Sequence, residues 1–346
     1  MQKNGQAEKT MDAKITKQRL GRLLSYDWLK IVALIVAIIF VWSLVFTMTA
    51  TRITPAQQFT VFNHQANVSL DLGKFYNEYN KSIEKGVFSY EVIETNTMDL
   101  TTANEYVATM METRLSTNEG DMIFVPHIGD KDYAVKPTEE GGATTYTLTY
   151  AESFFARYYA YVENFDDYLG DMETYLQTYF GEEWETGTLD DAKVESHFRA
   201  RIQKNKDKRF KKDGEIAQGI ADEKQRLEKY RTALMTFNDY LDEGIVRLET
   251  VSLKNEKGEV VQNTAGNAPL LQGNFALNIC PDENTMSGMK ERVYYNVLAE
   301  DGKTNKPCSL NMYVMLFDLV GVEEGFQFET LLYINSFIAT CRTTAA

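Results

Sequence analysis

Histidine and cysteine, the residues that most often carry metal and nucleophile chemistry, are scarce in this chain: three of each in 346 residues. Cys280, Cys308 and Cys341 are too few for a disulfide scaffold. Three histidines beside them cannot supply a CxxC-type metal site. Six prolines and 21 glycines exclude a collagen-like or proline-rich disordered chain, and 44% hydrophobic with 12% aromatic residues is enough to bury a core. Positive charge is also short, at 36 Lys and Arg against 50 Asp and Glu, which gives a net charge of -14 and a pI near 4.9. A phosphate backbone finds little to bind on such a surface, so nucleic acid is not an expected partner.

Catalytic motifs are equally thin. Ser82-Ile83-Glu84-Lys85 and Ser287-Gly288-Met289-Lys290 satisfy S-x-x-K, but no S-D-N or K-T-G accompanies them. Gly302-Lys303-Thr304 looks like the end of a phosphate loop, yet Val297 stands where its first glycine belongs. His197 has no second histidine four residues away, and the carboxylate pairs Asp166/Asp167 and Glu182/Glu183 are ordinary for so acidic a chain. The expectation is a non-enzymatic protein without metal or cofactor.

What the chain does possess is one long apolar run. Ile31 to Ala50 is 20 residues without a charge, interrupted only by Ser43, Thr47 and Thr49. That matches the roughly 20 residues a helix needs to cross a hydrocarbon layer. Tyr26 and Trp28 stand at an interfacial position, with Lys30 able to reach the headgroups. A cleaved signal peptide is the alternative, but the run exceeds the h-region of such peptides, and Met48 and Ala50 make a poor cleavage site. Residues 1–30 carry seven basic and three acidic side chains, whereas Thr51 to Gly73 contains only Arg52 among basic residues. By the positive-inside rule, residues 1–30 form a cytoplasmic tail, 31–50 a single membrane span, and 51–346 an extracytoplasmic domain of the cell membrane. Beyond the tail the chain holds 29 basic and 47 acidic side chains, so the outer part is more acidic than the whole.

From Gln57 to Pro126 the pattern alternates strand and helix. Phe59 and Val61 start a strand; Leu72, Phe75, Tyr76 and Tyr79 share a helical face that Gly86 ends. Phe88, Tyr90 and Val92 alternate as a second strand, a helix begins near Thr101 and Thr102, and Met122 to Val125 reads as a strand buried on both faces. This opening unit predicts an α/β, doubly wound parallel sheet with the strands side by side in the order second, first, third. Tyr146, Leu148 and Tyr150 read as a further strand, Phe154 to Leu169 as a helical stripe, and Val194 to Leu241 as largely helical with a break at Lys212-Asp213-Gly214. Val246 to Gln262 reads as a hairpin, Leu310 to Leu319 as an apolar strand or buried helix, and Phe326 to Ile338 as a final helix. The run Lys204 to Lys212 has six basic residues and one acid against this acidic background.

Gly120-Asp121-Met122-Ile123-Phe124-Val125 and, later, Leu271-Gln272-Gly273-Asn274-Phe275-Ala276-Leu277-Asn278-Ile279 resemble segments of the extracytoplasmic solute-binding proteins of carbohydrate ABC importers. Their order and separation extend the resemblance over about residues 57–320. It implies a two-lobed, periplasmic-binding-protein-like domain: a first lobe over about 57–150, a helix-rich second lobe over about 151–300, and a return over 301–346. A carbohydrate ligand and an ABC importer permease are the partners it implies. The chain departs from the family in carrying a membrane helix in place of a lipid anchor, and in the charged run Arg199 to Arg231.

In a doubly wound sheet, ligand contacts come from loops beyond the carboxyl ends of the strands. That nominates His64 with Gln65 after the first strand, Thr95 and Asn96 after the second, and His127 after the third. A sugar also needs a flat apolar face, for which Trp184, Tyr294 and Tyr295 are available. The competing expectation is an interaction protein, a sensor or assembly factor with the same fold and no small ligand. The orientation carries its own test. An impermeant thiol reagent on intact cells should modify a cysteine introduced near Gly142 and spare one near Lys9; the reverse labelling would overturn it.

Overall fold

The computed structural model describes residues 17–18, 21, 28–49, 57–63, 69–70, 74–92, 94–99, 105–128, 148–205, 207, 209–255, 257–299, 301, 303–319 and 325–342. The chain divides into two compact units, 1–52 and 53–346. In the first, helix α1 (Trp28–Thr49) is 22 residues long. At about 1.5 Å per residue that is roughly 33 Å, long enough and apolar enough to span a membrane. Its apolar side chains point outward all round, Leu34, Phe40 and Trp42 among them.

The second unit is a mixed α/β structure built on a six-stranded sheet. Its strands are β1 (Gln58–Asn63), β3 (Glu94–Asp99), β4 (Met122–Pro126), β5 (Arg247–Ser252), β6 (Gln272–Asn278) and β9 (Met312–Leu316), in the spatial order β3-β1-β4-β9-β6-β5. β1 pairs in parallel with β3 and with β4, as the opening pattern predicts. The pairs β4 with β9, β9 with β6, and β6 with β5 are antiparallel, so four of the six strands run one way. Strands from the segments expected to form separate lobes thus lie edge to edge in one sheet. A second, three-stranded sheet joins β2 (Ser69–Leu70), β7 (Val293–Leu298) and β8 (Asn305–Cys308).

Both faces of the large sheet are covered, which is why β4 and β9 read as continuous apolar runs and not as alternating ones. Met122 and Phe124 join Met312, Val314 and Leu316 on one face, while Ile123 and Val125 join Tyr313 and Met315 on the other. The first face carries α2 (Phe75–Glu84), α5 (Phe165–Phe180), α7 (Asp213–Asp242) and α8 (Glu329–Arg342); the second carries α3 (Glu105–Ser116) and α4 (Tyr150–Tyr158). Helix α6 (Asp191–Asn205) pairs with α7 as a helical hairpin, broken where Lys212 precedes α7.

Four local expectations need correction. The second strand lies at Glu94–Asp99, and Phe88 to Val92 is irregular. Phe88 and Val92 are buried because this segment crosses the core, Phe88 packing on Phe59 and stacking on Tyr333, while the Ser89 amide and hydroxyl both bond to the Glu329 carboxylate. Period-two burial arose without a ladder. The edge strand β3 is polar, as an exposed edge should be. Tyr150 begins helix α4 in place of ending a strand, because Thr149 and Glu152 form a reciprocal capping box. The stripe from Phe154 to Leu169 is two helices, with a 3-10 turn at Tyr159–Tyr161 and Asn164 capping α5. The hairpin tip at Asn255 to Gly258 is present, but the main partner of β5 is β6.

At Gly120, the turn into β4 requires a backbone that L side chains rarely adopt, with φ +134°, and a Cβ there would lie 2.2 Å from Phe62 Cε2. Phe62 is fully buried. Gly120→Ala should therefore destabilise the unit by about 2–4 kcal/mol, read as a drop in the denaturation midpoint. An unchanged midpoint would contradict this turn geometry.

Candidate functional site at the carboxyl ends of the strands

The connection leaving β1 leads to β3 at the sheet edge; the next returns past β1 to β4 on its other side. Helix α2 of the first crossover and α3 of the second lie on opposite faces. The two crossovers therefore diverge between the carboxyl ends of β1 and β4, the position at which open α/β sheets form a ligand crevice. Asn63, 1% exposed, ends β1; His127 follows β4. His64 lies outside the described residues, as do 100–104 and 129–147.

His127 is fixed from three directions. Its amide donates to Asn311 O at 2.9 Å, extending the β4–β9 ladder by one bond. Its ring stacks on Tyr313, with centroids 4.6 Å apart and planes 4° from parallel. Its Nδ1 lies 3.0 Å from Thr149 Oγ1, the hydroxyl that accepts the Glu152 amide in the capping box. Beside it Lys254 Nζ meets Glu152 Oε1 at 2.5 Å. On the far side Asn278 Nδ2 donates to Asn311 Oδ1 at 3.0 Å and reaches Glu249 Oε1 at 3.4 Å.

The electrostatics follow from this arrangement. Burial, helped by Lys254, holds the His127 imidazole below its ordinary range against the opposing pull of Glu152 and Glu249, so it is neutral at pH 7. Burial works to raise Glu152, but the Lys254 ammonium and the Thr149 amide prevail and keep its carboxyl below the usual range. Burial raises the Tyr313 phenol. The result is a half-buried neutral imidazole flanked by an ion pair and two amides. Thr149 Oγ1 is engaged as a helix cap and Glu152 is turned to Lys254, so the group offers hydrogen bonds in place of an activated nucleophile.

The other expected residues are elsewhere. Asn96 stands within β3, opposite Thr60, and its carbonyl accepts from Tyr79 Oη at 2.6 Å. At about 3.3 Å per residue it lies roughly 20 Å below His127 along the strands. The displaced second strand is the reason. Trp184 is 5% exposed, and its Nε1 donates to Glu173 Oε1 at 3.2 Å, so no ring face is open to a sugar. Tyr294 is half-buried in β7 of the small sheet, opposite Ser69. Tyr295 is 2% exposed, with its hydroxyl on Leu310 O.

Of the residues that sequence reasoning missed, Thr149 and Glu152 had a readable T-x-x-E cap, and Asn311 adopts φ +55°, a conformation Asn favours. Lys254, which arrives from the far end of the sheet, had no local signal. Comparison with known proteins finds no matching family model, no matching curated protein and no matching solved structure.

Lys254→Met separates these effects. Removing a cation that depresses the imidazole should move the His127 NMR titration midpoint upward, at a stability cost of about 1–3 kcal/mol from the orphaned Glu152. A midpoint that stays in place or falls would contradict the arrangement.

Proposed function

We propose that this chain is a membrane-anchored binding protein whose outer unit takes up a small polar solute at the switch point beside His127. The supporting observation is the placement of a neutral imidazole, with amides and an ion pair around it, where the two crossovers diverge between β1 and β4. Carbohydrate is the solute class the resemblance implies, and delivery to an importer permease in the same membrane the corresponding role. Hydroxyl groups suit a site of mixed donors and acceptors. The basic tail before α1 supports an outward-facing unit. Two lobes closing on a hinge would be the finer form of this reading; the joining of both halves of the unit in one sheet counts against it, and a single crevice suffices.

A second reading has a specific observation in its favour. Trp184 is buried in the core and Tyr294 lies in the small sheet, which leaves no aromatic platform beside His127 from those two residues. The polar groups there also bond mainly to one another. These features fit an interaction protein, a sensor or assembly factor without a small ligand.

Thermal denaturation of the full chain in detergent distinguishes the two. A solute that binds only the folded state at 100 times its Kd adds about 2.7 kcal/mol. Among oligosaccharides, amino acids and peptides, at least one should raise Tm, and His127→Ala should abolish that rise while leaving the unliganded protein folded. No shift with any of them would remove the solute-binding reading and leave the interaction protein.

A further inference from the structure

The two ring nitrogens of His127 differ in what they meet. Nδ1 lies 3.0 Å from Thr149 Oγ1. Nε2 has no hydrogen-bond partner among the described residues and is not one of the buried atoms left without a bond, so it is open to solvent. The stack on Tyr313 and the amide bond to Asn311 O fix the plane of the ring. Imidazole nitrogens point in divergent directions, so one faces the helix cap and the other turns away from it.

Which nitrogen holds the proton follows from the hydroxyl between ring and helix. A threonine hydroxyl has one hydrogen to donate and two lone pairs. One lone pair of Thr149 Oγ1 takes the Glu152 amide at 3.2 Å, which caps α4. Among the described residues the one acceptor within reach of its hydrogen is His127 Nδ1, because its other contact is an amide that can only donate. With Nδ1 accepting, the proton of the neutral ring sits on Nε2. The reverse arrangement, Nδ1–H to Oγ1, would occupy both lone pairs and leave the hydrogen of a half-buried hydroxyl without a partner in the protein. The same cap that satisfies the first turn of α4 therefore sets the tautomer.

The charges around the ring narrow what that N–H can meet. Glu152 is paired with Lys254 at 2.5 Å. Glu249 accepts from the neutral Asn278 amide and has no cationic partner among the described residues. At the ring the two carboxylates outweigh the ammonium. An uncharged carbonyl, ether or hydroxyl oxygen accepts from Nε2–H without repulsion, whereas a carboxylate or phosphate would approach uncompensated negative charge.

We propose that Thr149 is a positioning residue that holds His127 as the Nε2–H tautomer, and that this N–H sets the specificity of the crevice by donating to an uncharged oxygen of the solute and disfavouring anions. The role of the donor rests on the solute-binding reading above; the tautomer does not.

The test begins without a solute. The chain has three histidines, so the full chain labelled with nitrogen-15 at histidine, in a detergent without a sugar headgroup at pH 8, gives few signals, and those missing in His127→Ala belong to His127. Nε2 should resonate as a protonated nitrogen and Nδ1 as a bare one. Thr149→Val removes the hydroxyl and should mix the tautomers, whereas Thr149→Ser keeps the hydroxyl and should preserve the parent pattern. A protonated Nδ1 in the parent, or an unchanged pattern in Thr149→Val, would overturn the proposal. The solute half uses two pairs matched in shape, glucose with glucuronate and N-acetylalaninamide with N-acetylalanine, followed by equilibrium dialysis and by the Nε2–H signal. In at least one pair the neutral member should shift that signal and bind at least tenfold more tightly than its anion. An anion that binds as tightly as its neutral partner, or a solute that raises Tm without moving the Nε2–H signal, would overturn the role of the donor while leaving solute binding intact. If no solute raises Tm, the solute-binding reading fails and the role of the donor with it, and the nitrogen spectrum still decides the tautomer.

Discussion

The antiparallel pairing of β4 with β9 holds the second unit together. Met122 faces Leu316 and Pro126 faces Met312, so two segments nearly 200 residues apart share a ladder of five. Both strands are buried along their whole length. Each such side chain contributes on the order of 1.5–3 kcal/mol when taken from water, and the pair supplies both core clusters with their central members. Everything else is arranged around this seam: the parallel strands β1 and β3 on one side of it, the antiparallel β6 and β5 on the other. Asp121 seals its end. Its carboxylate accepts the Thr60 amide at 2.7 Å, and its carbonyl accepts the Phe317 amide at 3.2 Å. Burial, only partly offset by the Thr60 bond, raises this acid to about 7, so its contribution to stability is present at low pH and is lost as pH rises toward and through that value.

A second interior network explains why an irregular segment can cross the core. Buried backbone groups must find partners. At Ser89 they find Glu329, which also accepts from Tyr230 Oη at 2.6 Å and so joins the 88–92 segment to α7 and α8. Nearby Glu223 accepts from both Arg226 and Arg201, the latter through two bonds, while the Arg226 guanidinium lies 4.3 Å from the Tyr90 ring centroid. Paired in this way, charges survive burial; a single one of them left alone would not.

The two ends of the large sheet differ in the same physical terms. At the carboxyl end His127 Nδ1 and the polar groups of Glu152, Lys254, Asn278 and Asn311 are engaged by bonds within the protein. At the other end burial, together with Asp318, Asp167 and Asp171, raises the Glu163 carboxyl to about 7. Satisfied networks fix shape, whereas neighbouring like charges shift one acid toward its neutral form.

Patterns confined to one segment were legible in the sequence. The uncharged run became a single long helix, Met122 to Val125 a strand buried on both faces, and the order second, first, third held for the parallel strands because short crossovers leave few alternatives. The break before α7 was marked by Lys212-Asp213-Gly214. Misplacement of the second strand came from burial at Phe88 and Val92 that mimics a ladder, which is why Asn96 falls within β3 and not beyond its carboxyl end. His127 could be placed because it directly follows a strand whose character is local. Its companions could not. Lys254 reaches Glu152 across 102 residues, and Trp184 is hidden by helices that close over it only in the folded unit. Hydrophobic period and turn chemistry act over a few residues and are written in the chain; which strands meet, which rings stay open and which carboxylates lie together depend on contacts between distant segments, and those only the tertiary structure decided.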